Sequence, residues 1–398
     1  MCIVPFDSAK PSSGYADNMP TITNIEDLRR FAKRRVPRSI FEYADGGAYD
    51  EATLRANRAD LDAIRLRQRV MINVDQRSLR TQLVGENATM PLAIAPLGLT
   101  GIMHGGGEIH AARAAEAFGV PYTLSTMSIC SIEDVRAAVT KPFWFQLYVM
   151  RDRDFVESLI QRAIAAHCSA LVLTADLQIQ GQRHRDIKNG LSVPPRLTLR
   201  NALDIATKPA WVLNILLAPR RSFGNLVGLG RTGSNLSTLS QWIASQFDPT
   251  LSWKDVAWVR KLWPGKLIIK GILDADDARH AVDTGADAIV VSNHGGRQLD
   301  GAPSSITALP GIVAAVGDKT QVLFDGGVRS GQDIFKAMAL GAQGTMAGKA
   351  ILYGLGAMGQ SGVRTALEIM RNELDVTMAL TGTRDVKEIG PHKLFAAG

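Results

Sequence analysis

Short apolar segments rich in β-forming residues recur along the chain, and segments with helical periodicity lie between most of them. The strand-like segments span residues 91–95, 121–124, 143–147, 170–173, 266–269, 287–291, 321–324 and 344–347. The helical patterns include residues 107–118, 131–139, 153–166, 275–284 and 331–340. Continuously apolar strands that alternate with helices indicate a parallel sheet covered on both faces. Eight such repeats favour a closed (β/α)8 barrel of the TIM type over an open doubly wound sheet.

One connection is much longer than a βα unit requires. The fourth predicted strand ends at residue 173 and the fifth begins at residue 266, and loops of that length usually carry function or are disordered. We therefore expect an N-terminal tail over residues 1–22 and one barrel domain over residues 23–398, with an insert at about residues 181–253. Basic residues outnumber acidic ones over residues 191–250, where Arg196, Arg200, Lys208, Arg220, Arg221 and Arg231 face only Asp204 and Asp248.

The insert also contains an apolar stretch, residues 211–218, which is followed directly by Arg220 and Arg221. An apolar and basic segment shorter than the roughly 20 residues of a spanning helix is typical of a peripheral membrane contact. Two interpretations are equally favoured. Residues 205–225 either lie against a membrane surface or form a lid that packs on a neighbouring subunit.

Composition narrows the class of protein and its compartment. The 398 residues are 46% hydrophobic and 21% charged, as in an ordinary globular chain. The three cysteines, Cys2, Cys130 and Cys168, are too scattered for a disulfide framework or a zinc site, which favours the reducing cytoplasm and no bound metal. The net charge of +7 permits an anionic partner without choosing among nucleic acid, lipid headgroups and small acids.

Polar or glycine residues follow nearly every predicted strand, and a barrel gathers strand ends at one face. The residues at the strand ends are Pro96, Leu97, Gly98, Ser125, Gln146, Tyr148, Thr174, Asp176, Lys270, the segment 292–297, Asp325, Gly326, Gly327, Gly348 and Lys349. This pattern predicts one shared site. Its glycine-rich part after the last two strands, with Arg329 nearby, is where barrels commonly hold a phosphate.

The segment after the sixth strand combines a base with a fixed cation, because His294 and Arg297 lie three residues apart. Imidazole accepts a proton near neutral pH, and guanidinium offers a carboxylate two parallel donors. Gly295 and Gly296 allow a flat ligand to approach the backbone. Alone, such a motif is more often a turn with a solvated arginine; the other strand ends favour a catalytic site.

Taken together, these motifs resemble the FMN-dependent L-2-hydroxy-acid oxidase and dehydrogenase family. The resemblance rests on residues 41–43, 146–148, 292–301 and 325–329, and it extends over roughly residues 23–390. Within the family the chain is most similar to the bacterial respiratory L-lactate dehydrogenases, through segments such as residues 43–49, 124–126 and 247–255. Mandelate dehydrogenases are the next most similar.

The resemblance implies a role for each residue. His294 is the catalytic base and Asp176 holds its imidazole, while Arg297 and Arg183 bind the substrate carboxylate. Tyr43 and Tyr148 hydrogen-bond the substrate, and Lys270 lies beside the flavin where negative charge develops. The remaining FMN contacts are Pro96, Leu97, Gly98, Ser125, Gln146, Thr174 and Ser292 on the ring and ribityl chain, and Asp325, Gly326, Gly327, Arg329, Gly348 and Lys349 on the phosphate.

The implied activity is FMN-dependent oxidation of an L-2-hydroxy acid, foremost L-lactate to pyruvate, with electrons passed to a quinone or cytochrome. The resemblance also implies a homotetramer that binds no nucleic acid. This tetramer would be cytoplasmic or peripheral on the inner face of the cell membrane. The alternatives are an L-mandelate dehydrogenase, an oxygen-using 2-hydroxy-acid oxidase and, more remotely, a non-redox phosphate-binding barrel. The chain departs from the family at Lys349, where arginine is usual, and at Met127, where some oxidases carry tryptophan.

Overall fold

Parallel strands alternate with helices in the computed structural model, which describes residues 21–191, 198–226 and 245–395. The strands are β1 (Thr81–Leu83), β2 (Glu86–Ala88), β3 (Leu92–Ile94), β4 (Thr123–Ser125), β5 (Trp144–Leu147), β6 (Ala170–Thr174), β7 (Lys266–Ile272), β8 (Ala288–Val291), β9 (Gln321–Asp325) and β10 (Gly344–Ala347). The helices up to the insert are α1 (Ile25–Arg35), α2 (Arg38–Asp45), α3 (Ala52–Ala63), α4 (Thr100–Met103), α5 (Gly107–Phe118), α6 (Ile132–Ala138) and α7 (Arg153–Ala165). The later helices are α8 (His184–Lys188), α9 (Leu199–Ala206), α10 (Pro209–Leu216), α11 (Trp253–Leu262), α12 (Ala275–Asp283), α13 (Ser305–Val316), α14 (Gly331–Ala339) and α15 (Lys349–Leu380), followed by short 3-10 turns at Val386–Glu388 and Pro391–Lys393.

Eight of the strands form one parallel sheet that nearly closes on itself. Its order is β3-β10-β9-β8-β7-β6-β5-β4. The two ends of the sheet meet where Ile94 forms a parallel bridge with Tyr122, and the Ile94 amide donates to the carbonyl of Pro121 at 2.8 Å. Helices connect the strands, and the prediction of a (β/α)8 barrel is confirmed.

The apolar side chains pack in two layers, one inside the barrel and one between its strands and the surrounding helices. The inner layer includes Trp144, Val172, Ile268, Val290, Leu323 and Met346. The β1–β2 hairpin adds Leu83, Val84 and Ala88 to this inner layer. The hairpin closes the N-terminal end of the barrel, where Val84 contacts Gln321 and Glu86 contacts Trp144.

Strand β7 continues past the predicted segment 266–269 and contains Lys270, which the sequence pattern placed just after the strand. Its pairing with β8 shifts register between Lys270 and Ile272, and Gly271 adopts a φ of +104°. A bulge of this kind re-aims the neighbouring side chains. Just before the bulge, the Lys270 ammonium contacts Ser292 and Asp325, at the ends of β8 and β9.

The described part of the insert packs on the barrel through α9 and α10. The Trp211 indole donates to the carbonyl of Ile102 at 3.0 Å, and the Gly105 amide donates to the side-chain oxygen of Asn214 at 2.6 Å. The other face of the pair leaves apolar side chains more than half exposed, namely Leu199, Leu203, Leu213, Leu216 and Leu217.

The positive charge expected beside this apolar face is only partly available. Arg220 forms an ion pair with Asp134, so its positive charge is already balanced within the protein. Arg196 and Arg231 lie outside the described residues, as does most of the predicted N-terminal tail. Within the described ranges, no helix combines the length and apolar character needed to cross a bilayer.

Candidate active site

A cavity of about 520 Å³ lies at the C-terminal ends of the barrel strands, within the size range of small-molecule and cofactor sites. The sequence-predicted residues that line it are Tyr43, Pro96, Leu97, Gly98, Tyr148, Thr174, Arg183, Lys270, His294, Arg297, Asp325, Gly327, Arg329, Gly348 and Lys349. Five others are not part of the cavity lining, namely Ser125, Gln146, Asp176, Ser292 and Gly326. Most of the predicted residues therefore meet at one cavity, and their functional roles stay predictions.

His294 and Asp176 form a hydrogen-bonded pair across the ends of β8 and β6. The His294 Nδ1 lies 3.0 Å from Asp176 Oδ1, so a neutral imidazole donates from Nδ1 and keeps Nε2 as an acceptor. Burial lowers the pKa of His294 despite the opposing charge of Asp176. Burial also acts to raise the pKa of Asp176, but its interaction with His294, including the hydrogen bond, and the charge of Lys270 hold it below its ordinary value. The pair is therefore an ionised carboxylate beside a neutral base.

The backbone at His294 is strained, since this non-glycine residue has a φ of +58°. Its amide donates to Ser292 Oγ at 3.1 Å, which helps to hold the conformation. Strained backbone is concentrated at functional sites, where the surrounding structure maintains it. This conformation places the imidazole on the cavity wall.

Lys270 supplies a buried, fixed positive charge. Its ammonium lies 2.9 Å from Asp325 Oδ2 and donates to Ser292 Oγ at 2.9 Å, and Ser292 Oγ donates in turn to Asp325 at 2.7 Å. Burial acts to lower the pKa of Lys270, but the carboxylates of Asp325 and Asp176 raise it above its ordinary value. The carboxylate of Asp325 thus holds Lys270, and its contact with the FMN phosphate stays a prediction.

Arg183 and Arg297 place two positive charges at the same end of the cavity. Arg297 donates to the backbone carbonyls of Tyr43 at 2.6 Å and Gly46 at 3.1 Å, and its guanidinium lies 4.9 Å over the Tyr43 ring. Burial and the nearby charge of Arg297 lower the pKa of Arg183 to about 10. Two like charges held together in a buried site favour an anionic ligand, and guanidinium groups suit a carboxylate.

Tyr148 lies beside these arginines on the cavity wall. Burial, followed by the charge of Asp176, raises the pKa of its phenol. The phenol therefore stays protonated and remains a hydrogen-bond donor.

A second group of basic side chains lines the cavity near the N-terminus of α15. Arg329 carries a buried Nε without a partner among the described residues, and its guanidinium lies 5.7 Å from the Tyr353 ring. Lys349, the first residue of α15, donates to the carbonyls of Asp45 at 2.8 Å and Gly46 at 2.9 Å. The combination of buried donors and a helix N-terminus is typical of a phosphate site.

Several residues in and around the cavity were not predicted from the sequence, and they differ in whether the sequence carried a signal for them. Arg58 lines the cavity from α3 and donates to the carbonyl of Gly327 at 2.5 Å, but it belongs to none of the predicted strand ends or motifs. Gln298 fixes the backbone of Asp176 by donating to its carbonyl at 2.6 Å. The position of Gln298 beside Arg297, in the motif at residues 292–301, was a signal that could have revealed it. Phe223 and Phe247, from the insert, add apolar walls.

Comparison with known proteins gives a consistent result. The FMN-dependent dehydrogenase family pattern matches residues 32–396. An L-lactate dehydrogenase of Azorhizobium caulinodans is 49% identical over 92% of this chain and 97% of its own length, and one of Pseudomonas aeruginosa is 47% identical over 94% and 98%. The crystal structure of the monotopic membrane protein (S)-mandelate dehydrogenase covers 94% of this chain and 100% of its own, with a TM-score of 0.90 and 37% identity. A mandelate oxidase structure, 38% identical, has a TM-score of 0.79 and covers 94% of this chain and 98% of its own.

Proposed function

We propose that this chain, which belongs to the FMN-dependent dehydrogenase family, oxidises L-lactate to pyruvate. The observation that carries the proposal is the neutral base His294, held by Asp176, in the same cavity as the paired cations Arg183 and Arg297. L-Lactate dehydrogenases 47–49% identical over nearly the whole chain support lactate as the substrate. Membership of this family excludes a non-redox phosphate-binding barrel.

The residues of the cavity fit FMN. Arg58, Arg329 and Lys349 would hold the phosphate at the N-terminus of α15. The Arg329 Nε, which lacks a partner among the described residues, is a cavity donor that a bound acceptor would satisfy. When bound, the flavin ring supplies an acceptor for the electron pair that leaves the substrate carbon. The Lys270 ammonium supplies fixed positive charge for that event.

The residues around the substrate would divide the work of binding and proton transfer. Arg183 and Arg297 bind the carboxylate, and Tyr148 donates a hydrogen bond, which fixes the orientation of the hydroxyl group. The His294 Nε2 accepts the substrate proton, and the Asp176 carboxylate stabilises the resulting imidazolium. The same pair serves both possible mechanisms. In one, the proton leaves the substrate before the electron pair; in the other, a hydride is transferred first.

We extend the proposal to the electron acceptor and to cellular location. A quinone or cytochrome receives the electrons, and the exposed leucines of α9 and α10 form a peripheral contact with the inner face of the cell membrane. The similarity to a monotopic membrane protein supports this arrangement. A homotetramer remains a prediction.

L-Mandelate is a second candidate substrate. It is favoured by the apolar cavity walls at Met127, Phe223 and Phe247, and by the mandelate dehydrogenase and oxidase neighbours in structure. The greater sequence identity to lactate dehydrogenases favours lactate over mandelate.

The proposal is tested by mixing the purified protein with candidate substrates in the absence of oxygen. The protein should release FMN on denaturation, and its visible flavin absorbance should bleach with L-lactate but not with D-lactate. Faster bleaching with L-mandelate than with L-lactate would identify L-mandelate as the preferred substrate. A protein that contains FMN and is bleached by neither acid would contradict the proposed function.

A further inference from the structure

Gly271, in the bulge of β7, lies directly against the carboxylate of Asp176. A Cβ atom at Gly271 would lie 2.6 Å from Asp176 Cγ, 2.7 Å from its Cβ and 2.9 Å from its backbone nitrogen. All three distances fall below 3.0 Å, which real Cβ atoms essentially never show. A side chain at residue 271 would therefore collide with Asp176 even if its φ of +104° were tolerated.

Hydrogen bonds alone do not fix the Asp176 side chain. Its Oδ1 contacts His294 Nδ1 at 3.0 Å, whereas its Oδ2 is buried without a partner among the described residues. Gln298 holds the backbone carbonyl of Asp176 rather than the carboxylate. The orientation of the carboxylate thus depends on packing as well as on His294, and Gly271 provides a close packing surface.

The same bulge is connected to the His294 side of the pair. The Ser292 amide donates to the carbonyl of Ile272 at 3.1 Å, and Ser292 Oγ accepts from the His294 amide at 3.1 Å. On the other side, the Ala175 amide donates to the carbonyl of Lys270 at 2.8 Å. The residues that flank Gly271 therefore bind both segments that carry the pair.

We propose that Gly271 is a positioning residue that sets the distance and orientation between Asp176 and His294 during hydroxy-acid oxidation. The inference rests on the proposed function, because it assigns a role to that same pair. The absent side chain lets Asp176 approach His294, and the bulge fixes the strand ends around it. A methyl group at residue 271 would displace the carboxylate from the imidazole.

Displacement of Asp176 has a predictable electrostatic sign at His294. The charged groups that act on the imidazole are Asp176 after β6, Lys270 on β7 and Arg183 before α8. Burial and the two cations lower the pKa of His294, and Asp176 opposes them. Moving the carboxylate away should therefore lower the pKa of His294 further. If Gly271 had only a structural role, its substitution would leave that pKa unchanged.

The test compares Gly271→Ala with Gly301→Ala in the FMN-loaded enzyme. Gly301 is a matched control because its φ is +87° and, among the described residues other than its chain neighbours, no heavy atom lies within 4 Å of its missing Cβ. Gly271→Ala should slow anaerobic flavin reduction by L-lactate by about 10²-fold, the effect of a misplacement near 1 Å, while Gly301→Ala retains the wild-type rate. Histidine NMR titration should show a lower His294 pKa in Gly271→Ala only. Wild-type values of both quantities in Gly271→Ala would overturn the proposal, as would an equal effect in the control.

Asp176→Asn provides a second arm of the test. If Gly271 acts through Asp176, adding Gly271→Ala to Asp176→Asn should slow reduction by less than about 3-fold, because coupled residues are not additive. Full multiplication of the two effects would overturn the proposal. The NMR titration needs no substrate, so it keeps this test separate from a failure of L-lactate to reduce the enzyme.

Should Gly271→Ala not fold, the double variant Gly271→Ala with Asp176→Gly decides the matter. Removing the Asp176 side chain eliminates the two shortest contacts. Recovery of a folded, FMN-containing protein would support a direct steric relation between the two residues. Failure to recover would show that the glycine is needed for the backbone alone, and it would overturn the proposal.

Discussion

At the residue scale, the cavity combines one neutral base with several fixed cations. Burial lowers the pKa of His294, so its proton-accepting form is present at neutral pH. Lys270 stays charged because the carboxylates of Asp325 and Asp176 raise its pKa against the effect of burial. The base and the cations are thereby kept in the states that oxidation of an anionic acid requires.

The pH dependence of flavin reduction should follow the base. A proton on His294 blocks it as an acceptor, so reduction by L-lactate should be fast above the pKa of His294 and should decline as pH falls through it. Because burial lowers that pKa, the midpoint should lie below the ordinary histidine value of about 6.5. Stopped-flow reduction rates measured anaerobically across pH check this expectation. A midpoint well above that value would argue against a buried His294 as the base.

Arg297→Lys should distinguish a bidentate clamp from a simple positive charge. The arginine already donates to the carbonyls of Tyr43 and Gly46, and an ammonium cannot hold these and the substrate carboxylate in the same geometry. Loss of a charged hydrogen bond corresponds to roughly 1.5–3 kcal/mol, or about 10- to 10²-fold. Reduction kinetics should show a higher L-lactate requirement together with a slower limiting rate. Unchanged kinetics would place the carboxylate elsewhere, and Arg183→Lys measured in parallel tests its partner.

At the scale of elements, the insert shows where sequence patterns stop being informative. The apolar and basic stretch predicted a surface-active segment, and several leucines of α9 and α10 are indeed exposed. The pattern did not show that Trp211 and Asn214 attach α10 to Ile102 and Gly105, because these contacts join segments about 110 residues apart. It also did not show that Asp134 pairs with Arg220.

Replacing Leu203, Leu213, Leu216 and Leu217 by glutamine should release the enzyme from membranes. These side chains are 54–75% exposed, so the change removes apolar surface without emptying the core. Full burial of one such side chain contributes about 1.5–3 kcal/mol, and four together suffice for reversible attachment. Co-sedimentation with anionic vesicles should fall strongly, while anaerobic flavin reduction by L-lactate stays near the wild-type rate.

A matched control removes equally exposed apolar side chains elsewhere. Val70, Met71 and Leu380 are at least 56% exposed and lie outside the insert. Their replacement by glutamine should leave vesicle binding intact. Equal loss of binding in both variants, or wild-type protein that ignores vesicles at low salt, would favour the lid or subunit-contact interpretation of the insert.

Across the whole molecule, the sequence was sufficient for the barrel and for a set of residues most of which line one cavity. Each βα repeat is local, so apolar periodicity revealed it, and the closed barrel then brought distant strand ends together. The contributions of Arg58 and Gly271 required the structure. Arg58 reaches the cavity from a helix ahead of the barrel, and the role of Gly271 depends on which side chain occupies the space beside it.

The central claim is that His294 accepts the substrate proton in an FMN site that oxidises L-lactate. It is tested most directly by flavin reduction in wild type and His294→Gln, followed by stopped-flow absorbance without oxygen. A general base typically accelerates a reaction by about 10²- to 10⁴-fold. His294→Gln should therefore retain bound FMN, but its rate of flavin reduction by L-lactate should fall by at least about 10²-fold relative to wild type. A variant that holds FMN and is reduced at the wild-type rate would contradict the account.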